Sequence, residues 1–261
     1  NVRFLFEPDE ERFGGSARMI AAGAMDGVEA VFGAHVAPDL PEGVIGVRYG
    51  KFYAASDLFS VIIHGKSAHG AQPEKGIDAL ASAAETVITV RALPEKLLSD
   101  PAVLNVGRFH AGTADNIIAD TAEFNGTMRT LGSVDRTALK AGFCQTVEQI
   151  SAKYGTRPEI IFHESYGGIV NTFPETQIVQ TTAEELFGKE MVTEIDHPTM
   201  TTEDFGYFID AAKGSFYHIG AGCSFPLHNP EFLPKPYTII RLTALHTDII
   251  GHYLLQKAVN Q

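Results

Sequence analysis

Residues 3–39, RFLFEPDEERFGGSARMIAAGAMDGVEAVFGAHVAPD, decide the fold class of this chain of 261 residues. The apolar run RFLF predicts a short buried strand, residues 17–24 predict a helix, and AVFGAHV predicts a second buried strand. Strands that alternate with helices usually form a parallel sheet with helices on its faces, so this order predicts an α/β layer.

Three consecutive carboxylates, Asp9, Glu10 and Glu11, stand between the first predicted strand and the helix. Neighbouring carboxylates repel one another, so they require either bulk water or a bound cation. The stretch alone leaves both interpretations open: a solvated turn, or part of a metal site.

The pattern changes after Ser56, where strands and helices follow in the order βαββαβ up to RPEIIFHE. This order predicts a self-contained ferredoxin-like domain at residues 55–165. Alternation then resumes, with helices predicted near 174–187, at TTEDF and near 237–257, and with strands near 191–195 and at SFYHIGAG. Residues 1–54 and 166–261 are therefore predicted to form one α/β domain with a parallel-type sheet, interrupted by the insert.

Composition restricts the class of partner. The net charge of −12 disfavours nucleic acid and anionic membrane surfaces, because both would repel the chain at long range. Two cysteines are too few for a disulfide framework and fit a reducing cytoplasm, and no apolar run is long enough to span a membrane. Because NVRFLF reads as a buried strand with no preceding turn, we expect the chain to be a fragment of a longer protein.

Two histidines stand out by context. His35 ends the predicted strand AVFGAH, and His228 lies between two prolines in FPLHNP, just after another strand. The carboxyl ends of strands in α/β sheets hold ligands, and carboxylates with imidazoles suit zinc, manganese or cobalt. The sequence has no compact zinc motif, so a metal site and structural roles are equally open for four residues: Glu10, Glu11, His35 and His228. Most other histidines lie inside predicted strands or a helix and are interpreted as structural: His64, His110, His163, His218 and His252.

Six stretches, in order, resemble the aminoacylase and hippurate hydrolase family of metal-dependent amidohydrolases, which includes indole-acetyl-amino-acid hydrolases and, more distantly, glutamate carboxypeptidases. The resemblance covers residues 1 to about 232. The stretches begin at EPDEERFGG and continue with GKSAHGAQPEKGIDAL, GTADNIIAD, NGTMRT, TTEDFGYF and PLHNPEF.

The resemblance implies a role for each candidate residue of the α/β domain. Glu10 resembles the general base of the family, and Glu11, His35 and His228 resemble its metal ligands. The resemblance implies that these ligands hold one or two divalent ions of zinc, manganese, cobalt or nickel. Glu7 stands where the family has glutamine. Its extra charge would either tighten cation binding or raise the pKa of Glu10.

The resemblance also makes the insert a dimerisation or lid domain. His69 resembles a histidine that reaches across a homodimer interface to stabilise the oxyanion. Asn116, Arg129 and Glu203 resemble residues that bind or support the substrate. Arg129 suits a bidentate grip on a carboxylate, although an arginine in a strand could equally pair with Glu123 on the sheet surface.

The function implied is hydrolysis of the amide bond of an N-acyl or N-aroyl amino acid. A metallo-aminopeptidase or carboxypeptidase acting on short peptides remains an alternative, as does an inactive fragment that serves as a dimerisation module. The family supplies further ligands from an upstream C-G-H-D-G-H motif that this chain lacks, so we expect the chain to bind metal weakly. The sequence leaves open the acyl group, the amino acid and the native metal.

Overall fold

The computed structural model describes residues 1–11, 14–164 and 166–259. Its first elements are α1 (Ser16–Ala21), β1 (Ala30–Ala37), β2 (Ile45–Val47) and β3 (Gly50–Tyr53). The predicted strand AVFGAHV is confirmed as β1. The predicted strand RFLF is wrong, since residues 1–9 form no strand and the side chains of Phe4 and Phe6 are 76% and 86% exposed.

Nine elements follow: β4 (Ala55–His64), β5 (Ala68–His69), α2 (Ala79–Val90), α3 (Leu93–Leu97), β6 (Val103–Ala111), β7 (Ile117–Ile118), β8 (Thr121–Thr130), α4 (Ser133–Tyr154) and β9 (Arg157–Glu164). Four strands form an antiparallel sheet in the order β6-β8-β4-β9, and α2 and α4 share its core, which includes Phe59, Phe124 and Phe143. β5 and β7 form a separate two-stranded ribbon. The long strands and helices occur in the predicted order, and the ferredoxin-like assignment stays a prediction.

The remaining elements are β10 (Ile169–Asn171), α5 (Phe173–Phe187), β11 (Val192–Glu194), α6 (Gly206–Ala211), β12 (Lys213–Gly220) and α7 (Pro236–Val259). β1, β12, β2 and β11 form one sheet in that order, and β3 pairs with β10 in a second. β1 is parallel to β12 and β2 to β11, but β12 and β2 are antiparallel. The predicted parallel-type sheet is therefore corrected to a mixed one. The loop from β1 to β2 is too short for the crossover that a parallel connection requires, so β2 runs back antiparallel.

The mixed sheet has a core on each face. Phe216 and Tyr217 are neighbours on β12 but belong to different clusters, because consecutive side chains of a strand point to opposite faces. Phe216 packs with Phe205 and Phe208 around α6, whereas Tyr217 packs with side chains of α5 and α7. The sheet is thus covered by helices on both faces.

The chain divides into two compact units. The first comprises Asn1–Tyr53, Ile169–Thr199 and Glu203–Gln261, and the second comprises Ala54–Gly168 and Met200–Thr202. The predicted domain boundary at residue 165 lies outside the described residues, and the assignment of the units as domains stays a prediction. No helix in the described ranges combines the length and hydropathy needed to cross a bilayer.

A buried ion cluster ties α4 to β4 in the second unit. Asp57 is 2% exposed, and it accepts bonds from Arg136 Nε at 2.7 Å and from Arg136 Nη2 at 2.8 Å. Lys140, one turn further along α4, places Nζ 2.8 Å from Asp57 Oδ1. Burial raises the pKa of Asp57, but the hydrogen bonds and charges of Arg136 and Lys140 outweigh burial and hold it below its ordinary value.

We expect Asp57→Asn to lower the free energy of unfolding at pH 7 by about 3 kcal/mol, because two cations lose their buried counter-charge. A carboxylate with a lowered folded-state pKa stabilises the fold above its unfolded pKa of about 3.9, and this stabilisation is lost as the pH falls through the folded value. The difference between wild type and variant, measured by urea unfolding, should therefore shrink below about pH 4.

The control is Glu123→Gln, which removes the exposed pair with Arg108 at 3.3 Å and should cost less than about 1 kcal/mol. Equal losses in the two variants would contradict a special role for Asp57.

Candidate metal centre

The acidic triplet lies in a turn ahead of α1, and its carboxylates have separate surroundings. Asp9 has a φ of 68° and pairs with Arg18 of α1 at 3.3 Å. Gly15 is required here because a Cβ at this position would lie 2.0 Å from the Pro8 carbonyl oxygen. The chain therefore turns tightly before α1. Glu10 and Glu11 are neighbours within a turn and do not lie in an extended strand.

Glu10 belongs to a group of three carboxylates. Glu10, Glu203 and Asp204 each have a carboxylate oxygen within 4.8 Å of the other two, the one such group in the described part of the chain. Glu203 and Asp204, which precede α6, are 7% and 0% exposed, and Glu10 is partly buried. Carboxylates this close and this poorly hydrated need a proton or a cation between them.

Asp204 joins this group to α1. Its Oδ2 accepts bonds from Ser16 N at 3.2 Å and from Ser16 Oγ at 2.9 Å. Among the described residues, Asp204 Oδ1 and Glu7 Oε1 are buried and have no hydrogen-bond partner. Two ionised carboxylates cannot donate to each other, so these oxygens fit either a shared proton or a bound cation.

The pKa shifts have burial as their first cause. Burial, followed by the charge of Glu10, raises the pKa of Glu203 to about 7. Burial also raises the pKa of Glu10, with the charges of Glu11 and Asp204 adding to it. Burial raises the pKa of Glu7 to about 8, and a hydrogen bond to Asp204 that forms only when Glu7 carries a proton, together with the charge of Asp204, adds to this effect. The protonated form of Glu7 can donate a hydrogen bond to Asp204.

The predicted ligands Glu11 and His228 meet near this group. Glu11 Oε1 lies 3.8 Å from His228 Nδ1, and both side chains are about 70% exposed (70% and 72%). His228 has a φ of 65°, a left-handed conformation that is uncommon for a residue with a side chain. The charge of His228 lowers the pKa of Glu10, opposing the larger effects of burial and of Glu11 and Asp204, which raise it.

His35 lies on β1 opposite His218 of β12, with the ring centroids 6.4 Å apart. His35 Nδ1 is 2.7 Å from the Val36 carbonyl oxygen. A neutral ring that donates from Nδ1 keeps its lone pair on Nε2, as a metal ligand must. His218 Nε2 instead lies 2.5 Å from the Tyr53 hydroxyl, and burial lowers the pKa of His218 to about 4. The structural interpretation of His218 fits this bond.

The predicted ligand set of Glu11, His35 and His228 stays a prediction. Glu11, His35 and His228 do not form a group of three within 4.8 Å in the described residues, whereas Glu203, assigned to the substrate, lies with Glu10. Sequence reasoning missed Asp204, and the available signal was its position beside Glu203 in TTEDF.

Three predicted residues belong to the second unit. His69 is exposed on β5, and its Nδ1 accepts a bond from Ala71 N at 3.1 Å. The backbone at Gly70 donates to Asn116 O at 2.7 Å, so His69 and Asn116 lie on the same small ribbon. Arg129 Nη1 donates to Met200 O at 2.6 Å. The alternative pair of Arg129 with Glu123 is not formed; Glu123 pairs with Arg108.

Comparison with known proteins identifies relatives of this arrangement. Residues 1–251 match the model of peptidase family M20/M25/M40. An N-acetyl-L-cysteine deacetylase of Bacillus subtilis is 32% identical over 243 residues, which cover 92% of this chain and 58% of the relative. Thermostable carboxypeptidase 2 of Saccharolobus solfataricus is 32% identical over 240 residues, which cover 88% of this chain and 60% of the relative.

Among solved structures, a Bacillus subtilis protein described as a dinuclear metal binding peptidase from the M20 family superposes with a TM-score of 0.81 at 27% identity. The match covers 94% of this chain and 62% of that protein. The chain therefore spans about 60% of the length of these relatives, with values from 58% to 62%.

The raised pKa of Glu203 predicts a stability effect of opposite sign to that of Asp57. The folded pKa of about 7 exceeds the unfolded value of about 4.3, so ionisation of Glu203 opposes folding as the pH rises. In metal-free protein we expect Glu203→Gln to gain stability relative to wild type as the pH increases from 4.5 to 8, by on the order of 2 kcal/mol.

Thermal unfolding in the presence of a chelator measures this difference. The exposed Glu190→Gln provides the control and should follow the wild-type pH profile. A stability difference between Glu203→Gln and wild type that does not change with pH would show that the pKa of Glu203 is not raised in the folded protein.

Proposed function

This chain belongs to peptidase family M20/M25/M40, and on that premise we propose that it takes part in metal-dependent hydrolysis of the amide bond of N-acyl or N-aroyl amino acids. The single observation that carries the proposal is the group formed by Glu10, Glu203 and Asp204. The deacetylase relative supports the amide class through its printed name.

The donor set fits a divalent ion. Buried carboxylate oxygens without partners, at Asp204 Oδ1 and Glu7 Oε1, are the atoms that a hard cation or a proton satisfies. We propose that Glu203 and Asp204, with Glu11, His35 and His228 as the resemblance implies, hold one or two ions of zinc, manganese, cobalt or nickel. Bound there, such an ion lowers the pKa of water and polarises the scissile carbonyl.

Glu10 moves the proton in this proposal. Its raised pKa brings it closer to neutrality, where a carboxylate can accept a proton from the attacking water and return it to the leaving nitrogen. The neighbouring charges of Glu11 and Asp204 oppose negative charge on Glu10 and so favour the protonated form during transfer.

The remaining candidate residues that the resemblance implies belong to the second unit. Because His69 Nδ1 accepts the Ala71 N–H, its neutral ring carries the proton on Nε2, which can donate to a developing oxyanion. Asn116, in the turn before β7, and Arg129 remain the proposed substrate-binding residues. We propose that His69 acts in a homodimer formed through the inserted unit and that the protein works in the cytoplasm.

Among the described strands β6 pairs only with β8, and its free edge, together with exposed apolar side chains, supports association. Val103 and Phe109 on β6 are 37% and 38% exposed, and Ile88 of α2 is 75% exposed. An exposed strand edge with apolar residues favours pairing with a second copy.

A panel of N-acetyl, N-benzoyl and free dipeptide substrates, assayed with added manganese or zinc, tests the proposed function. Release of amino acid from the N-acyl compounds supports it. Cleavage of free dipeptides alone would favour a peptidase instead, as the carboxypeptidase relative illustrates. A chain that dimerises but cleaves nothing would support the inactive dimerisation module.

Exchange of each glutamate separates base from ligand. We expect Glu10→Gln to keep metal affinity while kcat falls by about a hundredfold or more, because proton transfer is lost. Glu11→Gln should weaken metal binding, measured by calorimetry. Because Glu10 also lies in the carboxylate group, equal metal loss in the two variants would show that Glu10 is a ligand.

Mixed dimers test the proposed action of His69 across subunits. Subunits with Glu10→Gln and with His69→Ala are each expected to be inactive alone. Heterodimers should recover part of the activity, because one of their two sites then has both residues. Verified heterodimers without any recovery would contradict a shared site.

A further inference from the structure

The backbone carbonyls of Met200 and Thr201 are held by groups of the second unit. Arg129 Nη1 donates to Met200 O at 2.6 Å, and Ala54 N donates to Thr201 O at 3.1 Å. Arg129 is partly buried on β8, a strand paired on one side with β4 and on the other with β6. The guanidinium that holds Met200 is therefore carried by an interior strand of the antiparallel sheet.

The held segment leads directly into the carboxylate group. Thr199 N donates to Phe52 O at 2.8 Å just before it, and the peptide bond after Thr202 joins it to Glu203 and Asp204. Only two residues separate Met200 from Glu203 in the chain, so a restraint on the Met200 carbonyl also reduces the backbone freedom available at Glu203 and Asp204.

We propose that Arg129 is a positioning residue that fixes the Met200 carbonyl and thereby orders the segment carrying Glu203 and Asp204. A hydrogen bond from a charged donor is roughly twice as strong as a neutral one, so the bond from Arg129 is a substantial restraint on the Met200 carbonyl. This inference rests on the proposed function in one respect, which is the proposed role of Glu203 and Asp204 as metal ligands.

The two roles for Arg129 make different demands on its side chain. A grip on a substrate carboxylate uses two parallel N–H groups, which lysine cannot supply. The bond to the Met200 carbonyl needs a single cationic donor, which lysine retains. Arg129→Lys therefore separates the roles, and Arg129→Met removes both.

Hydrogen exchange of the backbone at residues 199–206, in protein without metal or substrate, tests the restraint directly. We expect about tenfold faster exchange in Arg129→Met and a change of less than about threefold in Arg129→Lys. The control is Arg108→Met, which removes an arginine of the same sheet that bonds Asn125 and Glu123 and leaves Met200 untouched. Exchange in Arg129→Met equal to that of wild type would overturn the proposal.

Exchange within β4 and β9 reports whether the second unit of each variant is folded. If Arg129→Met does not fold, Arg129→Lys decides: retained protection of residues 199–206 supports the restraint, and its loss overturns it.

Calorimetry with manganese tests the link to Glu203 and Asp204. Affinity should fall about tenfold in Arg129→Met and be kept in Arg129→Lys, and an unchanged affinity in Arg129→Met would overturn the link. Failure of the proposed function would appear instead as a wild-type protein that binds no metal, with the exchange results unaffected.

Discussion

Repulsion among buried carboxylates is the constraint on which the rest of this site depends. Glu10, Glu203 and Asp204 each place one carboxylate oxygen within 4.8 Å of an oxygen of the other two, and two of these residues have almost no access to water. In a poorly hydrated site such charges cost several kcal/mol unless a proton or a cation compensates them. The raised pKa values of Glu10, Glu203 and Glu7 favour protonation, which is one way to relieve this repulsion. Binding of a divalent ion is the other way.

The local structure holds these groups together against their repulsion. Ser16 at the start of α1 gives Asp204 two hydrogen bonds, and Gly15 allows the turn carrying Glu10 to pass close to Pro8. The segment carrying Glu203 leaves the mixed sheet beside α6, whose core includes Phe205. Hydrogen bonds and packing of the surrounding elements therefore offset the electrostatic cost of holding like charges close together. Such an arrangement is characteristic of functional sites.

Sequence patterns predicted the elements with strong periodicity and failed where pairing partners decide the outcome. β1, β4 and the long helices were predictable because their apolar spacing is regular over many residues. RFLF has the composition of a strand, but a strand forms only with a partner, and residues 1–9 have none among the described strands. The antiparallel pairing of β2 with β12 depends on a loop length and on three-residue strands, which periodicity cannot detect.

The site divides in the same way. Glu10 was predictable from its motif, because adjacent carboxylates at this point of an α/β chain are conspicuous. Asp204 was not, because its importance comes from a contact with Ser16, 188 residues away in the chain. Glu203 was assigned to the substrate because the sequence cannot show that it lies beside Glu10.

Anomalous X-ray scattering from crystals equilibrated with Mn²⁺ tests the central claim most directly. The account predicts a manganese peak bound by the carboxylates of Glu203 and Asp204, with the Glu10 carboxylate beside it, and its loss or marked weakening in Glu203→Gln crystals. Manganese bound only elsewhere, with these three carboxylates bridged by protons or water at pH 8, would contradict it.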